Sequence, residues 1–168
     1  MLAELHWVLP GRLAGAARPG LLGDLDGDLL ALARLGIRRL VTLTESPVDL
    51  GGHQVPFAVT HFPIDDMGVP TPRAALPVCR LVAEDLGDGR PVVLHCKAGL
   101  GRTGTMLAAC LVVLGSPADD AVAAVRRACP LYIQTSAQAA FVTHFEQFAR
   151  ATLEPPVGTS NGGHERWT

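Results

Sequence analysis

The segment from residue 91 to residue 114 constrains the fold more than any other part of the sequence. Residues 91–95, PVVLH, are a short and largely apolar run that is typical of a buried strand. Residues 104–114 are strongly apolar and predict a buried helix. Residues 96–103, with glycines at 99 and 101, connect the two. A strand that turns this tightly into a buried helix indicates an α/β protein.

Further strand and helix patterns alternate along the chain, whose 168 residues favour a single domain. Two short strands are predicted around the Pro-Gly turn at 10–11, two longer strands at 39–43 and 55–62, and helices at 28–35, 74–85, 117–129 and 136–150. This order predicts an α/β domain over residues 1–153, with a central, mostly parallel twisted sheet flanked by helices. Residues 154–168 are rich in Pro, Gly, Ser and Asn and predict a flexible tail.

Three loops leave the predicted strands at the carboxyl edge of this sheet. They begin at Thr44, Pro63 and Cys96. Ligands of parallel α/β sheets bind at that edge, so we expect these three loops to assemble any active site.

The loop that begins at Cys96 combines anion binding with a nucleophile. Gly99 and Gly101 let the backbone curl so that its N–H groups point inward at a helix N-terminus. Arg102 adds a planar guanidinium that can hold two phosphate oxygens. The same positive setting favours the thiolate form of Cys96, and a thiolate beside bound phosphate is a nucleophile aimed at phosphorus. A buried core cysteine followed by turn glycines is the structural alternative.

Residues 95–105, HCKAGLGRTGT, resemble the signature loop of the protein tyrosine phosphatase superfamily. The stretch is especially similar to the loops of cell-cycle-type and small atypical dual-specificity phosphatases. WVLPGRLAG near the start, LTE at 43–45, the acidic loop at 65–72 and IQTSAQ at 133–138 resemble family segments in the same order. The likeness therefore covers roughly residues 6–150.

This resemblance implies the cysteine-phosphatase fold and a hydrolase that needs neither metal nor cofactor. It implies a cysteinyl-phosphate intermediate on Cys96. It also implies that phosphate is held by the residues of one loop: Lys97, Ala98, Gly99, Leu100, Gly101 and Arg102.

A general acid must protonate the leaving oxygen, and such help is typically worth about 10²–10⁴-fold in rate. In the resembling family the acid lies about 30 residues before the nucleophile, which is the separation between Asp66 and Cys96. Asp66 also has the family's Asp-x-x-x-Pro context, with Pro70. Asp66 is therefore the predicted acid, and Asp65 is the alternative. After phosphate transfer, the ionised acid would act as base on the attacking water.

Further roles follow from the resemblance. Gln134 is similar to the glutamine that orients the attacking water, with a helix-capping glutamine as the alternative. Thr103 resembles the hydroxyl that bonds the cysteine sulfur. Three supporting residues are predicted to hold the loops in place: His95, Glu45 and Gln138.

The charge of the chain restricts its partners. The net charge is −2, with no basic excess to attract nucleic acid. The longest apolar run, 106–114, is too short to span a bilayer, so we predict no stable membrane insertion. We expect a phosphorylated protein or peptide as substrate, and phosphate- or sulfate-type anions in the active site.

Composition also suggests a source and a compartment. Thirteen of the 14 basic residues are Arg, which suggests a GC-rich bacterial genome. The four cysteines form no C-x-x-C pair, which suits a reducing cytoplasm. A regulatory disulfide from Cys79 or Cys110 to Cys96 is a further hypothesis.

Several functions stay open. A dual-specificity phosphatase acting on phosphotyrosine, and on phosphoserine or phosphothreonine, is the main hypothesis. Lys97, the one lysine of the chain, could face a second anionic group, which leaves a phosphoinositide or inositol phosphate open as substrate. An RNA 5′-phosphate end is a weaker version of that alternative. A phosphoprotein-binding module without turnover and a rhodanese-like sulfur transferase are the remaining hypotheses.

Overall fold

A five-stranded mixed sheet organises the computed structural model, which describes residues 5–153. The strands are β1 (His6–Leu9), β2 (Leu13–Ala16), β3 (Arg39–Thr42), β4 (Ala58–His61) and β5 (Val92–His95). Their order across the sheet is β1-β2-β5-β3-β4. Only β1 and β2 pair antiparallel, and the other three pairings are parallel. The prediction of a mostly parallel sheet is therefore confirmed.

Five helices complete the fold. They are α1 (Leu25–Arg34), α2 (Pro72–Gly87), α3 (Gly101–Val113), α4 (Ala118–Ala128) and α5 (Ser136–Leu153). Helix α2 begins where a helix-start signal predicts, because Thr71 accepts a hydrogen bond from the Ala74 amide and Pro72 occupies the first turn. Helix α3 begins three residues earlier than predicted, at Gly101. Arg102 and Thr103 consequently lie within its first turn.

The sheet buries two cores, one on each face. Along β5 the side chains alternate: Val92 and Leu94 belong to the larger core, whereas Val93 belongs to the smaller one. The larger core contains residues from α2, α3, α4 and α5, and the smaller core contains Leu29 and Leu32 of α1. Helix α3 is buried along nearly its whole length, which explains why its sequence lacks a polar face.

The parallel pairing places four chain segments, rather than three, at one edge of the sheet. Strands β2, β5 and β3 are aligned so that Ala16, His95 and Thr42 lie side by side at their carboxyl ends. The loops beginning at Thr44, Pro63 and Cys96 meet there as expected. The segment after β2 joins them, because β2 is an interior strand of the sheet and not only half of a hairpin.

Two predictions about the chain as a whole are limited by the described range. Within it, no helix has the length and hydropathy needed to cross a bilayer. The predicted tail at 154–168 lies outside the described residues, and the boundary at 153 stays a prediction.

Candidate active site

The loop between β5 and α3 is held against the segment that follows β2. Cys96 directly follows strand β5, and the residue is buried. Gly99 has φ +76, and a Cβ there would lie 2.4 Å from the carbonyl oxygen of Ala16. The loop approaches the neighbouring backbone so closely that only glycine fits at this position. The Arg18 amide also donates a hydrogen bond to the Lys97 carbonyl, at 3.0 Å.

Arg102 is buried at the start of α3, and both terminal nitrogens of its guanidinium have partners. Its Nη1 donates to Oε2 of Glu45 at 2.9 Å and to the Ile64 carbonyl at 2.8 Å. Its Nη2 lies 2.9 Å from Oδ1 of Asp66. The predicted phosphate-binding arginine and the predicted acid are thus in direct contact.

Glu45 connects the acid loop to the arginine with one carboxylate. Its Oε1 accepts a hydrogen bond from the Asp66 amide at 2.9 Å, while Oε2 accepts from Arg102. The pKa of Glu45 is lowered, first by a hydrogen bond from its own backbone and then by the hydrogen bond from Arg102. A carboxylate held in its charged form keeps both partners in place.

The structure separates the two adjacent aspartates. Asp66 lines a cavity together with Cys96, whereas Asp65 does not. The Asp65 carbonyl instead accepts a hydrogen bond from the Gly68 amide at 2.9 Å and closes the turn that follows Asp66. Met67 occupies the left-handed region, with φ 59, in that turn. This geometry favours Asp66 as the acid.

The predicted glutamine loop contacts the start of α3. Gln138 is fully buried, and its Oε1 accepts hydrogen bonds from the amides of Gln134 at 2.8 Å and Thr135 at 3.3 Å. Gln134 lines the cavity with Cys96. A Cβ at Gly101 would lie 2.8 Å from Oε1 of Gln134, so this glycine makes room for the glutamine. Gln138 therefore shapes the loop, and both glutamines line the site.

His95, the last residue of β5, supports the cysteine loop through both of its ring nitrogens. Its Nδ1 lies 3.0 Å from the Cys96 carbonyl, and its Nε2 lies 2.9 Å from the Thr42 hydroxyl. A carbonyl can only accept, so Nδ1 carries the proton and Thr42 donates to Nε2 in the neutral ring. Burial lowers the pKa of His95 to about 4, which keeps the ring neutral. A charged Arg18 nearby contributes to the same shift.

Two buried hydroxyls beside the loop have no hydrogen-bond partner among the described residues. They belong to Thr103 and Tyr132. The predicted bond from Thr103 to Cys96 is thus not formed in this structure, and the role of Thr103 stays a prediction. Tyr132 is a residue that sequence reasoning missed. A Cβ at Gly15 would meet both the Tyr132 hydroxyl and the Thr103 methyl, so Gly15 leaves space for this pair.

The three cysteines of the disulfide hypothesis, Cys79, Cys110 and Cys96, all belong to the larger core, and the hypothesis stays a prediction. Cys79 and Cys110 lie next to each other in the larger core. Burial, together with the neighbouring Cys110 thiol, raises the pKa of Cys79. All four cysteines are buried, and none is in a disulfide in this structure. The core position of Cys79 and Cys110 favours a packing role.

The site residues surround two adjoining cavities. A cavity of about 180 Å³ is lined by Cys96, the loop, the acid and both glutamines. A second cavity of about 290 Å³ shares Asp66, Lys97 and Arg102 with it and extends towards Arg18 and Thr44. A larger cavity of about 670 Å³ lies between α2 and α5 and contains none of the predicted site residues. Within residues 5–153, no cluster of three or more His, Cys, Asp or Glu side chains could hold a metal ion.

Comparison with known proteins agrees with this geometry. The family model described as "polymorphic toxin system, DSP-PTPase phosphatase" matches residues 14–116. The chain therefore belongs to the DSP-PTPase family, whose members are dual-specificity and protein tyrosine phosphatases and hence hydrolases.

Individual relatives define the extent of the similarity. Mouse protein tyrosine phosphatase domain-containing protein 1 is 40% identical over 85 residues, which are 49% of this chain and 11% of the mouse protein. The chain thus spans about a tenth of that relative's length. The crystal structure of Tk-PTP in the active form is 28% identical, with a TM-score of 0.75, and the match covers 88% of this chain and 99% of Tk-PTP.

The fold is also similar to that of PTPMT1 in complex with PI(5)P. That structure is 17% identical, with a TM-score of 0.74, and the match covers 89% of this chain and 99% of PTPMT1. At this level of identity the likeness shows the fold alone.

Proposed function

We propose that the chain hydrolyses phosphate monoesters through a cysteinyl-phosphate on Cys96. The observation that carries this proposal is the meeting of Cys96, Arg102 and Asp66 in one cavity beneath a curled loop. The nucleophile, the phosphate-binding cation and the proton donor of such a reaction are then all supplied by the chain.

In the first step the Cys96 thiolate attacks phosphorus, and a P–S bond forms while the ester P–O bond breaks. The leaving oxygen takes a proton from Asp66 and departs as an alcohol or phenol. Arg102 and the amides of the loop stabilise the charge on the transferring phosphoryl oxygens. Helix α3 points its N-terminus at the same oxygens, which adds a favourable dipole.

In the second step a water molecule attacks the phosphorus of the cysteinyl-phosphate. Asp66, now ionised, accepts the proton of the water, and the P–S bond breaks to return the Cys96 thiolate and release phosphate. The side-chain amide of Gln134 lines the cavity and is placed to orient the water. The Thr103 hydroxyl has no other partner and is available to stabilise the departing thiolate.

Phosphotyrosine in proteins or peptides is the proposed substrate, and phosphoserine and phosphothreonine are proposed as further substrates. The described lining residues of the reaction cavity include no aromatic side chain, and Tyr132 is buried behind it. A pocket without aromatic walls does not select for a flat ring, which supports dual specificity. We place this activity in the cytoplasm of a bacterium, where four free cysteines would stay reduced.

A phosphoinositide or inositol phosphate is the second candidate substrate. Lys97 lines both cavities, so its ammonium group can meet a further phosphate on a polyanionic substrate. The likeness of the fold to PTPMT1, which was crystallised with PI(5)P, is compatible with this candidate.

The test is release of phosphate from para-nitrophenyl phosphate and from a phosphotyrosine peptide, without added metal and with a chelator present. We expect wild type to turn over and Cys96→Ser to be inactive, while Cys129→Ser, a change at a buried cysteine outside the site, keeps its activity. Asp66→Asn should lose about 10²–10⁴-fold in kcat, and Asp65→Asn should lose far less. Equal activity in wild type and Cys96→Ser would refute the mechanism.

A further inference from the structure

Arg18 stands at the rim of the phosphate loop, in a position fixed by the backbone. It follows β2, whose last residue, Ala16, is paired with His95 in parallel register. The Arg18 amide donates to the Lys97 carbonyl at 3.0 Å. Because Gly99 also packs against the Ala16 carbonyl, the segment that carries Arg18 and the phosphate loop form one rigid contact.

The side chains of Arg18 and Lys97 have no carboxylate partner in the described part of the chain. Arg39, Arg90, Arg102 and Arg150 each form an ion pair there. Arg18 and Lys97 are instead exposed and line the cavity of about 290 Å³ that adjoins Cys96's cavity. Two cations that line the same open cavity attract an anion.

The carboxylates of that cavity do not neutralise these two cations. They are Glu45 and Asp66, and both are bonded to Arg102. Arg18 is also close enough to the site for its charge to lower the pKa of His95, after the larger effect of burial. The positive charge of Arg18 and Lys97 therefore remains available beside the position of the scissile phosphate.

We propose that Arg18 and Lys97 form an accessory anion subsite that selects phosphate monoesters carrying a second phosphate or carboxylate group. The inference rests on the proposed phosphatase function and specifies its substrate class. The second anionic group would lie in the cavity between Arg18 and Thr44 while the scissile phosphate lies on the loop. Arg18 is the specificity-determining residue of this subsite, since it makes none of the contacts assigned to catalysis.

The first test compares two matched substrate pairs. One pair is a phosphotyrosine peptide with a flanking Asp and the same peptide with Asn. The other is a soluble short-chain phosphatidylinositol bisphosphate and its monophosphate. In wild type we expect kcat/KM to favour the more anionic member of one pair by about threefold to tenfold, the range of a charge-assisted contact at a partly exposed site. The pair that responds identifies the source of the second anion.

Arg18→Gln should abolish this preference, whereas the matched control Arg80→Gln should keep it. Arg80 is an exposed arginine on α2 that lines the separate cavity between α2 and α5. A ratio near one in both pairs of wild type, or a ratio that Arg18→Gln leaves intact, would overturn the subsite.

A second measurement separates failure of the subsite from failure of the phosphatase. Calorimetry on Cys96→Ser measures the affinity for inorganic pyrophosphate and for inorganic phosphate without turnover. Adding Arg18→Gln should weaken pyrophosphate binding several-fold more than phosphate binding. Equal weakening of the two anions would overturn the subsite even if hydrolysis proceeds. Unequal weakening would support the subsite even if the proposed reaction fails.

Discussion

Acidification should destabilise this fold through protonation of His95, and the substitution His95→Asn should remove this contribution. The ring is fully buried and neutral, and it holds the Cys96 carbonyl with Nδ1 and the Thr42 hydroxyl with Nε2. Well above pH 6.5 the ring is neutral in both the folded and the unfolded chain. Between pH 6.5 and about 4 the unfolded chain binds a proton that the folded chain does not. The free energy of unfolding must therefore fall as the pH falls through this window.

The size of this effect follows from the shift in pKa. A lowering from 6.5 to about 4 corresponds to about 3 kcal/mol at about 1.4 kcal/mol per pKa unit. His95→Asn keeps a donor near the Cys96 carbonyl and removes the titratable group. We expect this variant to be less stable than wild type at pH 7, and the difference to shrink by about 3 kcal/mol at pH 4.

Urea unfolding followed by far-ultraviolet circular dichroism, at constant ionic strength and in half-unit steps of pH, measures this difference. The carboxylates of the protein contribute equally to both curves, so the difference isolates His95. Parallel curves for wild type and His95→Asn from pH 7 to 4 would refute the assignment of a buried neutral histidine.

Two further substitutions test the geometry of the site. Gly99→Ala forces a Cβ to within 2.4 Å of the Ala16 backbone at positive φ, so it should lower the free energy of unfolding by about 2 kcal/mol or more. Because the phosphate loop would shift, the variant should also bind the phosphate analogue tungstate more weakly. Gly87→Ala, which meets no atom within 4 Å, is the control, and equal unfolding free energies for the two variants would contradict the reasoning. Glu45→Gln removes the half-exposed carboxylate charge that pairs with Arg102, so kcat/KM should fall by about twofold to fivefold. Steady-state kinetics measure this fall, with Glu146→Gln in the remote Glu146–Arg150 pair as the control. An unchanged kcat/KM in Glu45→Gln would refute a supporting role for Glu45.

The strands and helices could be predicted because their signals are local. The apolar runs at 39–43 and 91–95 and the Thr71-Pro72 helix start each depend on neighbouring residues alone, and the structure places elements at each of them. The predicted pairing of Asp66 with Cys96 also holds in three dimensions, since both residues line one cavity, Asp66 after β4 and Cys96 after β5, with β3 between these two strands.

The contributions of distant residues could not be predicted. Whether β2 ends as a hairpin or lies inside the sheet depends on its parallel pairing with β5, and that pairing brings Arg18 to the site. The burial of the Gln138 amide depends on the folded loop that donates to it. The sequence around Tyr132 did not indicate that its side chain lies beside the site. Only the folded structure shows its hydroxyl in the space left by Gly15, next to Thr103.

The Asp66 carboxylate competes with substrate phosphate for the guanidinium of Arg102. The carboxylate occupies the guanidinium edge that an incoming phosphate dianion needs, so substrate enters by exchanging one anion for another. Protonating Asp66 removes the charge that competes and at the same time creates the hydrogen that the leaving oxygen requires. One proton on Asp66 thus frees the Arg102 guanidinium for phosphate and also supplies the proton for the leaving oxygen. Substrate binding and general acid catalysis therefore depend on the same protonation of Asp66.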